Sequence, residues 1–205
     1  MRPQIMYYHR QVIQHLPIQG PVLEIGSQRI ANQDNDFRAS FPADTYIGVD
    51  MAGGRGVDCI MNGEQLAFPA CMFGCVICCE VLEHTKNPFQ ILAEVWRVLR
   101  PNGYFLFSTQ FYAELHAYPD DYWRFTPSCY RQVLLKGFES VNLTTSLSEY
   151  RGTDWLHNLW QIIRRRPARI RDESYYQARP ITIMGYCQKH SPATHEYPSR
   201  ILVSK

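Results

Sequence analysis

The chain has 205 residues, of which 45% are hydrophobic and 20% charged, and its formal net charge is +2. This length and composition predict one folded domain with a modest elaboration, and they exclude a disordered, collagen-like or coiled-coil protein. The near balance of 21 basic and 19 acidic residues argues against a protein built to neutralise phosphates, so no nucleic-acid partner is expected. No apolar run approaches the roughly 18 residues of a membrane span, and the first residues lack the apolar region of a secretory signal.

Four of the seven cysteines crowd into one short stretch, namely Cys71, Cys75, Cys78 and Cys79. Residues so close in an extended segment cannot all form disulfides. The Cys75-x-x-Cys78 spacing occurs in zinc sites, but a second pair of ligands at suitable spacing is missing. We therefore predict no metal site, free thiols that act as small core side chains, and a location in the reducing cytoplasm.

Short apolar runs alternate with helical stretches along the chain, which predicts an α/β sheet with crossover helices. A first helix over residues 5–16 precedes strands over 21–26, 46–50 and 57–60. The run 73–79 is continuously apolar, as in a central parallel strand that is buried on both faces.

The clearest helix begins at Asn87, a good N-cap, with Pro88 at the first helical position. Apolar residues then recur at helical spacing as far as Leu99, and the sequence 101–103 (Pro-Asn-Gly) is predicted to end the helix. The remaining elements are predicted as a strand over 104–109, a helix over 127–136 and strands over 138–145 and 181–189.

An insertion at about 146–180 separates the last two strands and differs in composition. Its apolar stripe, which includes Trp155 and Trp160, precedes a cluster of arginines. Two interpretations stay open. The segment forms a helix that packs over the sheet and ends in cations that suit its dipole, or residues 154–171 contact an anionic membrane surface.

The chain as a whole is predicted to form a single domain over residues 1–190 that contains this insertion. Residues 191–205, which include Pro192 and Pro198, are expected to form a loose C-terminal tail.

The first two strands end in residues suited to binding a nucleoside. Strand 1 ends in Glu24-x-Gly26 and strand 2 in Asp50. Ligands bind beyond the carboxyl ends of strands in an open parallel sheet, where a glycine lets the backbone come close and an acid can accept both ribose hydroxyls. Only the first glycine of a G-x-G-x-x-G motif is present, which argues against a nicotinamide-dependent oxidoreductase and favours a cofactor without phosphates.

Four segments together resemble a class I S-adenosylmethionine-dependent methyltransferase: VLEIGS (22–27), YIGVD (46–50), CEVLEHTKNPFQILAEVWRVLRPNGYFLFST (79–109) and HAYPDDYWRFTP (116–127). The resemblance covers roughly residues 20–140 and points to the small, type 11-like bacterial enzymes associated with sugar or cell-envelope metabolism. It implies S-adenosylmethionine as cofactor. It also implies a Rossmann-like α/β fold with a mostly parallel seven-stranded sheet, an antiparallel last strand and helices on both faces.

The same resemblance implies roles for individual residues. Glu24 and Gly26 would frame the methionine part of the cofactor, with main-chain groups of Gly26 and Ser27 against it. Asp50 would hold the ribose hydroxyls, and Met51 would lie against the adenine. The other implied cofactor residues are Asn62, Gly63 and Glu64 in one turn near the adenine, Glu80 beside the methionine moiety, and His84 on the methyl-transfer side.

Each role has a structural alternative. Glu24 could cap a helix, Gly26 could be an ordinary turn residue, and Asp50 could be a helix N-cap. Turn residues such as Asn62 and Glu64 commonly bond only their own backbone, and His84 could fix its loop.

The sequence departs from the family pattern at two places. The usual loop is E-x-G-x-G-x-G, and here the second and third glycines are replaced by Gln28 and Ile30. Asn62 stands where an aspartate is common. The cofactor pocket must therefore accommodate larger side chains, and a noncatalytic scaffold that keeps the fold is the alternative to an enzyme.

The segment after the fifth strand is where an acceptor would bind. Methyl transfer releases a neutral thioether, so the protein mainly orients the reactants, excludes water and, for a hydroxyl, removes its proton. The candidate acceptor residues are His116, Tyr118, Asp120, Asp121, Tyr122, Trp123 and Arg124. His116 or Asp120 would be the base and the aromatic rings would stack on a sugar; the alternative is an ordered loop in which Asp121 pairs with Arg124.

Missing motifs narrow the acceptor further. There is no Pro-Cys dipeptide, and the segment after strand 4 is not the Asn/Asp-Pro-Pro-aromatic turn of nucleic-acid amino-methyltransferases. We therefore expect a small-molecule acceptor, a hydroxyl group of a sugar or envelope precursor.

Overall fold

The computed structural model describes residues 3–29, 36–42, 45–113, 115, 120–147 and 180–190. These residues contain seven strands: β1 (Val22–Ile25), β2 (Tyr46–Asp50), β3 (Cys59–Ile60), β4 (Phe73–Cys79), β5 (Leu99–Gln110), β6 (Phe138–Leu147) and β7 (Pro180–Lys189). They form one sheet in the order β3-β2-β1-β4-β5-β7-β6. The pairs among β1 to β5 are parallel, whereas β7 is antiparallel to β5 and to β6. The predicted seven-stranded sheet with an antiparallel last strand is confirmed.

Helices cover both faces of this sheet, as predicted. They are α1 (Pro3–His15), α2 (Pro88–Val98) and the single turn α3 (Pro127–Cys129), which continues as a π-helical turn over Tyr130–Leu134. One core joins Leu23, Val49 and Val76 to Leu92 of α2. A second core, on the opposite face, joins Met6 and Val12 of α1 to Val22, Cys75 and Ile77.

Strand β4 is buried along its whole length, because it lies at the centre of the sheet with a helical layer on each side. Its three thiols, Cys75, Cys78 and Cys79, are free and buried. Burial raises the pKa of all three thiols. They therefore remain protonated and fill the core as small hydrophobic groups, as the sequence predicted. The same prediction is wrong for Cys71, which is exposed in the turn before β4.

Element boundaries differ from the prediction where tertiary contacts outweigh local signals. Helix α2 starts at its predicted cap, and the Asn87 side chain accepts the Gln90 N–H at 3.2 Å. It ends at Val98, however, and β5 begins at Leu99 because Leu99 pairs with Phe73 ahead of a register shift in β4. The Pro-Asn-Gly sequence therefore lies inside β5 and does not end the helix.

The predicted helix over 127–136 is a short α turn followed by a π turn. The Leu135 N–H bonds the Tyr130 carbonyl at 2.8 Å, which closes the wider turn. Tyr130 is fixed from the other side, because its ring stacks on Phe107 at 4.7 Å and its hydroxyl lies 2.9 Å from that of Thr109. Such wider turns occur often at functional sites.

Most of the predicted insertion at 146–180 and the tail at 191–205 lie outside the described residues, so their roles and the domain limits stay predictions. Within the part of the chain that the structure describes, no helix combines the length and apolarity needed to cross a bilayer.

Candidate functional site

The carboxyl ends of β1, β2 and β4 meet at one edge of the sheet. Beyond β1, Gly26 has a φ of 78°, and the N–H groups of Gly26 and Ser27 both donate to the Val49 carbonyl at 2.9 and 3.1 Å. A Cβ at Gly26 would collide with the side chain of Val81, which follows β4. The glycine predicted from the sequence is therefore required both for its backbone conformation and for its close approach to β4.

Asp50, at the end of β2, is partly exposed at this edge. Its carboxylate accepts the Gln28 N–H at 3.1 Å and the Ala52 N–H at 3.3 Å. An ionised carboxylate offers about four acceptor positions, so capacity remains for the hydroxyl groups of a ligand. Asp50 therefore fixes the loop after β1 and still presents a negative charge to solvent.

Two apolar side chains lie in solvent beside Asp50. Met51 is 73% exposed after β2, and Ile60 is 69% exposed at the end of β3. Apolar side chains left open at neighbouring strand ends suit the face of a flat ring. The sequence analysis did not predict a ligand-binding role for Ile60. The feature that could have indicated it is an apolar residue at the end of β3, shortly before the Asn62 turn.

The Glu24 side chain is engaged by the protein itself. Its two carboxylate oxygens accept the Arg29 guanidinium at 2.9 and 2.6 Å, and the Tyr46 hydroxyl donates to one of them at 2.7 Å. Burial raises the pKa of Glu24, and the hydrogen bonds and charge of Arg29 oppose that rise. The structure shows neither a helix cap nor a free carboxylate: the side chain secures the loop after β1, and a cofactor contact at Glu24 stays a prediction.

Glycines after β2 make room for the large side chains after β1. The Gln28 side chain packs where a Cβ of Gly54 would lie, and its amide donates to the Gly53 carbonyl at 3.2 Å. The Arg29 side chain packs in the same way against Gly56. The loop after β1 thus has larger side chains where the family pattern has glycines, and Gly54 and Gly56 in the loop after β2 leave the space that these side chains occupy. Ile30, at the third glycine position, lies outside the described residues.

The turn after β3 is held by a hydrogen bond within the turn and by hydrogen bonds to the segment after β4. The Asn62 side-chain oxygen accepts the Glu64 N–H at 2.9 Å, which is the alternative role foreseen for Asn62. A carboxylate oxygen of Glu64 accepts the Thr85 hydroxyl at 2.6 Å and the Asn87 N–H at 3.2 Å, so Glu64 ties this turn to the segment after β4. Gly63 packs against Ile25. Cofactor contacts by Asn62, Gly63 and Glu64 stay predictions.

The chain leaves β4 through a strained residue. Glu80 has a φ of 58°, which is rare for a residue with a side chain and concentrates at functional sites. Its N–H donates to the Ser108 carbonyl at 2.9 Å, and its carboxylate accepts the Ser108 hydroxyl at 3.1 Å. Glu80 is therefore fixed against β5 at the edge where the sequence placed it.

The segment 120–124 is bound to the turn that follows β4. The Tyr122 and Trp123 N–H groups donate to the Glu83 carbonyl at 2.8 and 3.3 Å, and the Trp123 indole donates to the Thr85 carbonyl at 2.9 Å. His84 Nδ1 lies 2.5 Å from the Asp120 carbonyl oxygen. His84 therefore fixes this segment, which is its foreseen alternative role, and its contact with cofactor or acceptor stays a prediction.

Two of the predicted acceptor residues in this segment, Tyr122 and Trp123, have accessible rings, whereas the side chain of Asp121 is only 2% exposed. Tyr122 is 44% and Trp123 37% exposed, and the Tyr122 hydroxyl donates to the Asp120 carboxylate at 2.9 Å. Asp121 forms an ion pair with Arg124, as the structural alternative expected. His116 and Tyr118 lie outside the described residues, so their roles stay predictions.

One acid at this edge was missed by the sequence analysis. Glu83 is completely buried, and among the described residues neither of its carboxyl oxygens makes a hydrogen bond to another residue. Burial raises the pKa of Glu83 well above its ordinary value, and the negative charge of Glu80 adds to the rise. The available signal was an acid four residues beyond the end of a buried strand, next to His84.

Comparison with known proteins gives one family match and many structural neighbours. A model of the methyltransferase domain matches residues 44–107. A search of curated proteins finds no match. An S-adenosylmethionine-dependent methyltransferase from Archaeoglobus fulgidus is 14% identical with a TM-score of 0.58, and the match covers 92% of this chain and 95% of the other.

Two further neighbours show how widely this fold is used. Phosphoethanolamine N-methyltransferase 2 from Haemonchus contortus, solved with S-adenosylhomocysteine, is 11% identical with a TM-score of 0.56; the match covers 90% of this chain and 53% of that protein. The cyclase SpnF is 13% identical with a TM-score of 0.56, and the match covers 89% of this chain and 80% of the other.

Likeness at these identities shows the fold, which is Rossmann-like and shared with class I methyltransferases. The matched domain model adds that residues 44–107, from β2 to β5, have the sequence pattern of a methyltransferase. Residues 44–107 therefore resemble a methyltransferase domain in sequence, and the described chain resembles such enzymes in fold.

Proposed function

We propose that this protein transfers the methyl group of S-adenosylmethionine to a hydroxyl group of a small molecule, a sugar or an envelope precursor. One observation supports the proposal most strongly. The Gly26 loop, the Asp50 carboxylate and the strained Glu80 lie together at the carboxyl edge of three adjacent parallel strands. This is the place where open α/β sheets bind nucleoside ligands.

The residues at this edge fit the cofactor. Asp50 has acceptor capacity for two ribose hydroxyls, and Met51 with Ile60 would cover the adenine ring. Main-chain groups of Gly26 and Ser27 would lie against the methionine part. When bound, the cofactor supplies an electrophilic methyl group on a positively charged sulfur. The Glu24–Arg29 pair holds the loop so that these groups are preorganised.

The acceptor would bind against the segment 120–124. The exposed rings of Tyr122 and Trp123 beside the Asp120 carboxylate suit a sugar, which offers both a flat apolar face and hydroxyl groups. Asp120 is the described candidate for holding the hydroxyl proton, and His116 is the other. A membrane contact through 154–171, which would suit a lipid-linked precursor, and a cytoplasmic location are part of this proposal.

The cofactor site is tested by calorimetric titration with S-adenosylmethionine and S-adenosylhomocysteine. Asp50→Ala removes the ribose acceptor and is expected to weaken both ligands about 10- to 100-fold, since hydrogen bonds to charged groups contribute about 1.5–3 kcal/mol. Glu139→Ala, an exposed acid on β6, is the matched control and should bind like the parent. Equal affinity of the Asp50 variant and the parent would contradict the assignment.

The acceptor class is tested next by following S-adenosylhomocysteine formation with a panel of nucleotide sugars, free sugars, amines and carboxylic acids. Turnover confined to amines or carboxylic acids would contradict a hydroxyl acceptor. Two observations favour the noncatalytic alternative: the Glu24 carboxylate is bonded to Arg29, and the Gln28 side chain occupies space in the loop after β1. Tight cofactor binding without product from any acceptor would establish it.

A further inference from the structure

Glu83 is an acid in a position where an ionised carboxylate is costly. It lies in the 3-10 turn Leu82–His84, which two residues separate from β4, with no exposed surface and no hydrogen bond from another described residue. The 120–124 segment covers it, because two main-chain N–H groups of that segment donate to the Glu83 carbonyl. A buried carboxyl group without partners is stable only when it keeps its proton.

The charged and titratable groups around Glu83 favour the neutral form on balance. Among the described residues, those that interact electrostatically with Glu83 are Cys78 of β4, Glu80 at its end, Asp121 and Arg124 of the covering segment, and Tyr130 of the π turn. The one cation among them, Arg124, is ion-paired with Asp121. The described groups around Glu83 therefore include more acidic than basic side chains.

A ligand that brings a positive charge to this edge would reverse the balance. Glu83 is three residues beyond Glu80, at the strand end where the methionine part of the cofactor is expected. S-adenosylmethionine carries its positive charge on that part, and S-adenosylhomocysteine does not. A nearby cation favours the ionised form of a carboxyl group.

We propose that Glu83 is a neutral acid in the cofactor-free protein and releases its proton to solvent when S-adenosylmethionine binds. This inference rests on the proposed function, because it requires the cofactor to bind at this edge. The charge balance is simple: one positive charge enters the site, one proton leaves it, and no covalent bond to carbon changes. The protein then carries a base on its acceptor side only while a methyl donor is bound.

The same device restores itself after methyl transfer. With S-adenosylhomocysteine in the site the positive charge would be absent, so the pKa of Glu83 would rise again. The acceptor hydroxyl gives up one proton, first to Asp120 or His116, and one proton returns to the Glu83 carboxylate, which becomes the neutral acid again. Glu83 thus loses a proton when the methyl donor binds and regains one after methyl transfer.

The test measures protons released on binding and needs no acceptor. The parent protein is titrated with each ligand by calorimetry at several mildly acidic to neutral pH values, in phosphate and in Bis-Tris, which both buffer in this range and differ in ionisation enthalpy. S-adenosylhomocysteine is the matched ligand, because it shares every titratable group of the cofactor. We expect S-adenosylmethionine to release up to one proton more per site than S-adenosylhomocysteine.

Two variants assign the source of that proton. Glu83→Gln keeps the size of the side chain and should bind both ligands without the excess release, whereas Glu139→Gln should keep the excess. Equal release for the two ligands in the parent overturns the inference even if the Glu83 variant does not fold. Excess release that survives in Glu83→Gln also overturns it, while absence of binding contradicts the proposed function itself and removes this inference with it.

Discussion

The Arg29–Glu24 pair shows how one side chain compensates for an altered loop. Arg29 and Glu24 are 5% and 2% exposed and meet through two hydrogen bonds, with Tyr46 as a third donor. The sequence predicted Glu24 at this edge from its motif. It did not predict Arg29 as its partner, because the direction in which a loop side chain turns depends on the space left by Gly56, which is distant in sequence.

Arg29→Ala is expected to destabilise the protein by about 3–5 kcal/mol, because it leaves a buried carboxylate uncompensated. The double variant Arg29→Met/Glu24→Gln removes both charges and should recover most of that loss. Urea unfolding of the parent, both single variants and the double variant measures the coupling. Additive losses at the two positions would show that the pair does not act as a unit.

Glu83 gives stability a definite dependence on pH. Its pKa in the folded protein is raised, so between the unfolded value of about 4.3 and the folded value the native state holds a proton that the unfolded state has lost. The contribution of the neutral acid is therefore complete at low pH and is lost as the pH rises through the folded pKa.

Glu83→Gln does not titrate and should gain stability relative to the parent as the pH rises. The measurement is Tm against pH for the two proteins, with Glu139→Gln as a control that follows the parent. A Tm difference between Glu83→Gln and the parent that stays constant from acidic to neutral pH would mean that Glu83 titrates normally in the folded protein.

At the scale of elements, the loop after β1 and the loop after β2 pack closely against each other. Gly56 has a φ of 88° and lies close to the Ser27 carbonyl and the Arg29 side chain, whereas Gly53 has no positive φ and a Cβ added there would meet only the Ile60 side chain. The turn after β2 therefore depends on Gly56 for its conformation and for contact with the other loop, and on Gly53 much less.

Gly56→Ala is expected to cost about 1–2 kcal/mol from backbone strain alone and to weaken cofactor binding by shifting the loop after β1. Gly53→Ala, three residues away, is the matched control with a smaller effect on both. Thermal unfolding and titration with S-adenosylhomocysteine give the two readouts. Equal effects of the two substitutions would show that the positive φ is unimportant.

Every strand was predictable because apolar runs bounded by glycine, proline or an acid are strong local signals. The N-cap at Asn87 was also predictable, because an asparagine followed by a proline is a strong local signal for the start of a helix. The start of β5 at Leu99 and the π turn at Tyr130 were not, since both depend on partners distant in sequence, Phe73 and Thr109. At the site, sequence placed Gly26, Asp50 and Glu80 at one edge, but only the structure shows that Asn62 and Glu64 bond to the protein itself.

At the scale of the whole molecule, the last strand joins distant parts of the chain. Lys189 of β7 is buried, and its ammonium donates to the Trp96 and Leu99 carbonyls at 2.7 and 2.8 Å while lying 5.1 Å from the Trp96 ring centroid. These carbonyls lie at the C-terminal end of α2, where a helix favours a positive charge. One side chain thus connects β7, α2 and the beginning of β5.

Lys189→Met keeps the apolar stem and removes the charge. We expect a loss of about 2–3 kcal/mol in the free energy of unfolding, because two buried carbonyls lose a charged donor. Lys136→Met, at an exposed position, should change stability by no more than about 0.5 kcal/mol. Chemical denaturation measures the free energy of unfolding of both variants. If Lys189→Met is as stable as the parent, water replaces the ammonium group as the donor to the two carbonyls.

The strand order has a consequence for how the chain assembles during synthesis. Strand β7, the last of the described strands in chain order, lies between β5 and β6, so β6 cannot take its place in this sheet until residue 189 has been made. Until then β5 presents an unpaired edge beside the buried Phe105 and Phe107. Unpaired edges invite association between nascent chains, and closure over long sequence separations is slow. A chain that stalls before β7 is therefore the form of this protein most in need of a chaperone.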